Sequence, residues 1–238
     1  MSLLAPKAFG GCPAENQDLS RFHRNLACNF LGLVSKNNVK PLAIGLLANG
    51  AAAIVEQDVE NFFVGQPERF EAWGEPGEIM GNMLVVAPIA GGMLAVSQKL
   101  GDERFRSMSY ALSQGLLLNG ALTVATKHTV GRMRPNGENS LSFPSGHTAT
   151  SFTWATVASR TYGWKVGVPA YLAAGYVGAT RLEENAHHLT DVVAGAAIGY
   201  IVGRTVTRAT DQDSRFGWNV QPALSGGVSF QLQWNLNR

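Results

Sequence analysis

The sequence predicts an all-α protein, a single-domain bundle of closely packed helices followed by a short strand-like tail. The length of 238 residues suits one sizeable core and is short for two ordinary domains. The apolar share is 45% and the charged share only 15%, and the 27 glycines accompany many alanines. This composition favours helices whose backbones approach closely.

The helical segments follow one another along most of the chain. A polar extension, residues 1–40, contains a short amphipathic helix predicted around Leu19 to Leu33. The bundle covers residues 41–210, and its predicted helices are Pro41–Val55, Ile79–Gln98, Ser107–Thr126, His147–Thr161, Lys165–Thr180 and His188–Arg208. Between the first two, Glu56–Glu78 is polar and contains two prolines and three glycines, which predicts a loop or a broken helix.

The tail, residues 211–238, has a different pattern. After Ser225-Gly226-Gly227, apolar residues alternate with polar ones, as in a half-buried strand; these are Val228, Phe230, Leu232 and Trp234.

Two of the predicted helices, Ile79–Gln98 and Ser107–Thr126, are twenty residues long without a formal charge, which is enough to cross a bilayer. Both are interrupted by polar residues, glycine or proline, so a soluble bundle is the preferred interpretation and an integral membrane protein the alternative. The first residues lack the basic start and apolar run of a signal peptide. Two cysteines, Cys12 and Cys28, either form one disulfide or stay free.

The formal charge of +2 is too small to indicate a nucleic-acid partner, and no Lys/Arg-rich run is present. An anionic ligand would have to be held by local charge. Acidic residues such as Glu183 and Glu184 are interpreted as surface charges, and no carboxylate cluster predicts a metal site.

The first candidate motif runs from Lys127 to Pro135. Lys127 and Arg134 are seven residues apart, about two helical turns, so a helix ended by Pro135 would present both cations on one face. Such a pair suits an oxyanion. The alternative is a solvated basic helix end.

The second motif is Pro144-Ser145-Gly146-His147. Ser145 stands where an N-cap residue belongs, and Gly146 lets a ligand approach the free N–H groups of the helix start. His147 would point at the same anion. The alternative is an ordinary turn with an exposed histidine.

The third motif is Thr180-Arg181-x5-His187-x3-Asp191. On a helix, the Asp191 carboxylate could accept a hydrogen bond from one nitrogen of His187, which would leave the other nitrogen free as a nucleophile. Arg181 would grip two oxygens of a phosphate. The alternative is an incidental contact at a helix start.

Together the three motifs resemble the type-2 phosphatidic acid phosphatase and vanadium-dependent haloperoxidase superfamily. The resemblance covers residues 127–191, about a quarter of the chain. Thr180 stands where the family has serine, and the loop of residues 136–143 is shorter than is usual, which bears on substrate selection.

The resemblance implies an all-α bundle and a metal-independent phosphomonoesterase, of the acid or lipid-phosphate kind, that forms a phosphohistidine. His187 would be the nucleophile, Asp191 its orienting partner and His147 the general acid and base. The implied phosphate-binding residues are Lys127, Arg134, Ser145, Gly146 and Arg181.

The resemblance implies no metal and no cofactor, with vanadate binding as an inhibitor. The alternatives are a haloperoxidase that uses vanadate as its cofactor, and a non-catalytic phosphate- or lipid-binding module. The substrate would be a phosphate monoester or a lipid phosphate, with no nucleic-acid partner, possible peripheral membrane contact and possible dimers. The tail favours a soluble periplasmic or secreted enzyme. His128 and His188 are expected to face away from the pocket.

Overall fold

The computed structural model describes residues 18–64, 74–207, 216–223 and 227–234, in which eight α-helices precede one antiparallel hairpin. The helices are α1 Phe22–Leu33, α2 Val39–Val64, α3 Gly74–Gly81, α4 Met83–Leu100, α5 Glu103–Val130, α6 Gly146–Tyr162, α7 Trp164–Glu183 and α8 Leu189–Val206. The strands are β1 Phe216–Ala223 and β2 Gly227–Trp234. The predicted helical bundle is confirmed, and the alternating segment of the tail lies in β2. Cys28 lies in α1 and is not a free thiol, whereas Cys12 lies outside the described residues.

The helix α2 is longer than predicted. It continues through Glu56 to Val64, and Gly74 to Glu78 lie in α3, so the described residues of Glu56–Glu78 fit the predicted broken helix and not the predicted loop. Glu56 and Glu60 lie one turn apart on α2, and each carboxylate has a partner elsewhere in the fold. Local polarity suggested a loop because those distant partners are invisible in the sequence.

The prediction of one helix over Ile79–Gln98 is also corrected, because Asn82 divides this segment. Its extended backbone separates α3 from α4, and its side chain accepts a hydrogen bond from the Leu84 N–H at 2.9 Å. Asn82 therefore caps α4.

The end of α5 differs from the prediction in a way that matters for the site. Gly131 adopts φ +62°, and its N–H donates to the Lys127 carbonyl at 3.0 Å, which ends the helix after Val130. Lys127 and Arg134 therefore do not share a helical face. Arg134 reaches the site from the loop that follows α5.

The helices α6 and α8 pack backbone to backbone. A Cβ added to Gly195 would lie 2.5 Å from the Ser145 carbonyl oxygen, and one added to Gly199 would lie 2.4 Å from the Ala149 carbonyl oxygen. The Ser145 N–H also donates to the Asp191 carbonyl at 3.0 Å. This contact fixes the start of α6 against the start of α8. Helices α4, α5, α6 and α8 supply the core around Leu112, Val157 and Val202, each 0% exposed.

Within the described part of the chain, three helices are long and apolar enough to cross a membrane, at Lys36–Phe63, Met83–Leu100 and Leu189–Val206. Only 11%, 17% and 44% of these segments, respectively, is buried inside the protein. Large apolar side chains project outward from the first two, including Leu47 at 76%, Ile54 at 83% and Leu84 at 85% exposure. The preferred expectation of a soluble protein is therefore not supported, and the membrane alternative is favoured. The sequence favoured a soluble protein for two reasons. The predicted α2 was too short to cross a membrane, and Asn82 was counted within the next predicted helix, although it lies just before α4.

Candidate active site

A cavity of about 260 Å³ lies where the starts of α4 and α6 meet the end of α5 and the turn before α8. Five of the predicted site residues line it: Lys127, Arg134, Gly146, His147 and His187. The three motifs thus meet at one end of the bundle, although the first and last of these five residues are 60 positions apart in the sequence.

His187 lies in the turn between α7 and α8, so it does not share a helix with Asp191, contrary to what the four-residue spacing had suggested. Asn185 adopts φ +52° in this turn, and the His187 N–H donates to the Arg181 carbonyl at 3.2 Å. The side chain of His187 is only 3% exposed, and its Nδ1 lies 3.6 Å from Asp191 Oδ2. This distance is longer than a hydrogen bond, so the two groups interact electrostatically.

Burial lowers the pKa of His187 to about 4, and the positive charges of Lys127 and Arg134 act in the same direction, while Asp191 opposes them. The ring is therefore neutral at pH 7. A carboxylate beside Nδ1 favours the tautomer with the proton on that atom, which leaves Nε2 unprotonated. A neutral imidazole with a free nitrogen in an electropositive cavity is suited to attack an electrophilic centre.

The carboxylate of Asp191 is fully buried in the first turn of α8 and fully engaged. Its Oδ1 accepts a hydrogen bond from Arg132 at 2.8 Å. Its Oδ2 accepts from the His188 N–H at 3.0 Å and from the Ser142 hydroxyl. These donors hold the carboxylate in one position, as an orienting partner of His187 requires.

Arg132 and Glu56 form part of this support, and sequence reasoning missed both. Arg132 bonds Glu56 at 2.7 Å, and the other oxygen of Glu56 accepts from the Thr190 N–H at 2.8 Å. Arg132 could have been noticed, since it lies two residues before Arg134 within the first motif. No local pattern links Glu56 to it, because 76 residues separate the two.

Lys127 enters the cavity from the last turn of α5. Its ammonium group donates to the carbonyl of Leu141 and, at 3.3 Å, to that of Ser142. Burial lowers its pKa to about 8, and the charge of Arg134 adds to this effect. Arg134 is positioned by its loop, where its Nε donates to Asn139 Oδ1 at 3.2 Å. Both groups carry positive charge near neutral pH and would attract an oxyanion.

Ser145 and Arg181 do not line this cavity. Ser145 is confirmed as the N-cap of α6, and its oxygen accepts a hydrogen bond from the Thr148 hydroxyl at 3.0 Å. Arg181 is 2% exposed, and its guanidinium donates to carboxylates of Glu78 and, at 2.7 Å, of Glu184. The interpretation of Glu184 as a surface charge is therefore wrong.

His147 points from the first turn of α6 towards α3, where its Nε2 lies 3.1 Å from Glu78 Oε1. Burial lowers the pKa of His147, the nearby Glu78 carboxylate raises it, and Arg181 lowers it; the net shift is downward. Glu78 thus contacts both His147, the candidate general acid, and Arg181, a candidate phosphate-binding residue. It was missed because it lies at the end of a segment predicted to be a loop.

The remaining histidines of the motifs face away from the cavity, as expected. His128 is exposed, and the ring of His188 bonds the Glu60 carboxylate and the Met133 carbonyl. Ligand atoms of Glu56, Glu60 and His188 lie within 4.8 Å of one another, a cluster that no sequence pattern indicated. Glu56 already forms an ion pair with Arg132, and both ring nitrogens of His188 already contact Glu60 and the Met133 carbonyl, so this cluster belongs to the scaffold of the site.

Comparison with known proteins agrees with this site. Residues 108–215 match the model of the PAP2 superfamily, a range that contains all three motifs. Just under half of the chain is therefore similar to the PAP2 superfamily.

Among curated proteins, the chain is 41% identical over 92 residues to the lipid A 1-phosphatase of Porphyromonas gingivalis. The alignment covers 37% of this chain and 21% of that protein, so the chain spans about a fifth of the length of this relative. The crystal structure of Aquifex aeolicus LpxE has the same fold, with a TM-score of 0.53 and 22% identity over 65% of this chain and 95% of that one. A transmembrane PAP2-type phosphatidylglycerolphosphate phosphatase from Bacillus subtilis matches with a TM-score of 0.42 and 19% identity, over 83% of this chain and 98% of that one.

Proposed function

We propose that this chain is a metal-independent lipid phosphate phosphatase that is integral to a membrane and acts through a phosphohistidine at His187. The observation that carries the proposal is the neutral, buried ring of His187 beside Asp191 in a cavity that Lys127 and Arg134 make positive. Phosphoryl transfer requires mainly positioning and charge stabilisation, which fixed cations supply.

The first step joins His187 Nε2 to phosphorus and breaks the bond between phosphorus and the ester oxygen. His147 in its protonated form gives its proton to the leaving alkoxide. In the second step, neutral His147 takes a proton from water, the resulting hydroxide attacks phosphorus, and the P–N bond breaks to release phosphate. Lys127 and Arg134 neutralise the equatorial oxygens in both steps.

An apolar groove beside the catalytic cavity supports a lipid as the substrate. An apolar groove of about 270 Å³ between α4, α6 and α7 is lined by residues such as Ile89, Trp154 and Val177. It shares Thr150 with the catalytic cavity, so a chain lying in the groove would keep its headgroup near His147. The named lipid A 1-phosphatase relative agrees with this substrate class.

The three apolar helices support the membrane location. Side chains such as Leu47 and Ile54 on α2 would cost free energy if exposed to water, at about 25 cal/mol per Å² of apolar surface. A bilayer removes this cost.

The experiment that tests the proposal begins with membranes washed in alkaline carbonate, which releases peripheral proteins. We expect the chain to stay in the membrane fraction and to require detergent for extraction. The extracted protein is then assayed for phosphate release from phosphatidate in mixed micelles and from p-nitrophenyl phosphate, each in excess EDTA.

We expect release in EDTA, with a higher kcat/KM for the lipid. Loss of activity in EDTA that returns with added metal would contradict the metal-free mechanism. Bromide oxidation with vanadate and peroxide, in the absence of phosphate release, would favour the haloperoxidase alternative. Binding of phosphate without turnover would favour the binding module.

The pH dependence of kcat/KM is expected to be bell-shaped with an acid optimum. Below about pH 4, His187 becomes protonated and loses its nucleophilic lone pair. The pKa of His147 lies below its ordinary value of 6.5, so the general acid loses its proton as the pH rises through that range. The pH profile is measured with two esters whose phosphate groups have different pKa values. A limb that stays at the same pH for both esters reports titration of the enzyme and not of the substrate. An optimum above pH 7 would contradict the assignment of both histidines.

A further inference from the structure

We propose that Glu78 is a positioning residue that occupies the anion-binding face of Arg181 until the phosphate group of the substrate replaces it, and that it then stays with His147. The proposal rests on the proposed function, since it assigns Arg181 to the substrate phosphate. It adds a residue outside the three motifs to the site.

The two oxygens of Glu78 are divided between two partners. Oε2 accepts from Nη1 of Arg181, while Oε1 lies 3.1 Å from Nε2 of His147 and also accepts a hydrogen bond from the neighbouring Asn82 side chain at 3.3 Å. A carboxylate and a phosphate bind a guanidinium in the same way, because the oxygens of both accept hydrogen bonds from its planar set of N–H donors. Glu78 therefore stands where an oxyanion bound to Arg181 would stand.

Arg181 has little capacity left for a second anion. Its Nη2 donates to Glu184 at 2.7 Å and to the Thr180 hydroxyl at 3.1 Å, and its Nε donates to the same hydroxyl at 3.3 Å. The group is 2% exposed, so water does not supply spare contacts. Two carboxylates on one guanidinium would repel an arriving phosphate dianion, so one must leave before Arg181 can bind it.

Glu78 is the carboxylate that can leave. Its side chain is 45% exposed, against 31% for Glu184, and it reaches Arg181 from a different helix, whereas Glu184 follows Arg181 by only three residues. Water can therefore solvate Glu78 when the contact with Arg181 breaks.

The helix α3 itself is held in place, so the movement is a rotation of the side chain. A Cβ added to Gly77 would lie 2.2 Å from the Thr180 hydroxyl oxygen, and one added to Gly81 would lie 2.7 Å from the His147 Cβ. The backbone of α3 thus touches α7 and α6 on both sides of Glu78. A short rotation away from Arg181 keeps the carboxylate near His147.

This arrangement couples phosphate binding to the general acid. Glu78 favours the protonated form of His147, the form that donates to the leaving group. When phosphate binds Arg181, the Glu78 carboxylate no longer pairs with the guanidinium. Its charge then stabilises only the protonated form of His147.

The test measures binding of inorganic phosphate to the detergent-solubilised full chain by titration calorimetry. In Glu78→Gln we expect phosphate to bind about tenfold more tightly, because Arg181 loses a competing charged partner. Glu78→Asp keeps the negative charge but has a shorter side chain that cannot contact Arg181 in the same way. Tighter phosphate binding in this variant would therefore show that the contact with Arg181, and not the charge of Glu78 alone, opposes phosphate binding. Glu75→Gln, an exposed residue one turn earlier on α3, is the matched control and should bind like wild type.

The second readout is the alkaline limb of the pH profile. Glu78→Gln should move this limb to lower pH, because His147 loses its carboxylate partner, whereas Glu184→Gln should leave it in place. Unchanged or weaker phosphate binding in both Glu78 variants would overturn the proposal, as would an equal shift of the limb in Glu184→Gln. Calorimetry does not require turnover. A wild type that binds phosphate but hydrolyses no phosphate ester would contradict the proposed function, whereas the Glu78 proposal would still be decided by comparing phosphate binding in the variants.

Discussion

Replacement of His187 by alanine is expected to abolish phosphate release, with a loss in kcat on the order of 10⁴-fold or more, as for other nucleophiles in covalent catalysis. The nucleophilic nitrogen disappears, while Lys127 and Arg134 keep the cavity positive. Substrate binding should therefore survive, and phosphate or vanadate should still bind. The measurement is steady-state phosphate release, together with trapping of labelled enzyme from ³²P-labelled substrate.

The trapped label should have the acid-labile, alkali-stable character of a P–N bond in wild type, and it should be absent from His187→Ala. The matched control is His128→Ala, which changes an exposed histidine beside Lys127 and should retain activity within about twofold. A labelled His187→Ala protein would show that another residue carries the phosphoryl group.

Replacement of Arg132 by methionine is expected to destabilise the protein by about 3–5 kcal/mol, the usual cost of removing one partner from a buried ion pair. Arg132 bonds Asp191 at 2.8 Å and Glu56 at 2.7 Å, and Asp191 is fully buried. The substitution would leave two neighbouring carboxylates without their shared cation. Thermal or denaturant unfolding in detergent measures the effect.

The matched control is Arg106→Met, which removes an ion pair with Glu103 on the exposed surface of α5. Exposed pairs contribute about 0–1 kcal/mol, so this variant should unfold close to wild type. Arg132→Met should also lower kcat more than it raises KM, since Asp191 lies beside His187, the proposed nucleophile, and does not line the cavity. Equal stability losses in the two variants would contradict the buried role of Arg132.

The sequence alone was sufficient for the fold class and for five of the residues that line the cavity, whereas Ser145 and Arg181 do not line it. Local chemistry is the reason. Ser145 is the N-cap of α6 because a serine before Gly146 satisfies the free N–H groups at a helix start, wherever the helix lies. Likewise, the combination of a lysine, two arginines and two histidines at fixed spacings constrains the possible chemistry before any distance is known.

Several features of the site depended on partners distant in the chain. Glu56 reads locally as the start of a loop, yet it lies within α2 because Arg132 and Thr190 bind its carboxylate. Glu78 ends a segment predicted to be a loop or a broken helix, yet it contacts Arg181 and His147 in the site. Spacing along a helix also failed for Lys127 and Arg134, because Gly131 takes a left-handed conformation and turns the chain between them.

The sequence by itself thus determined the helical class, the capping of α6 and the set of charged and imidazole groups available for chemistry, because these follow from residue type and short spacing. Only the tertiary structure decided which carboxylates neutralise which cations and which faces of α2 and α4 remain outside the core. Both depend on contacts between residues far apart in the chain. Whether an ion pair is buried or an apolar face is exposed depends on the neighbouring helices, and these neighbours are in place only once the helices have packed.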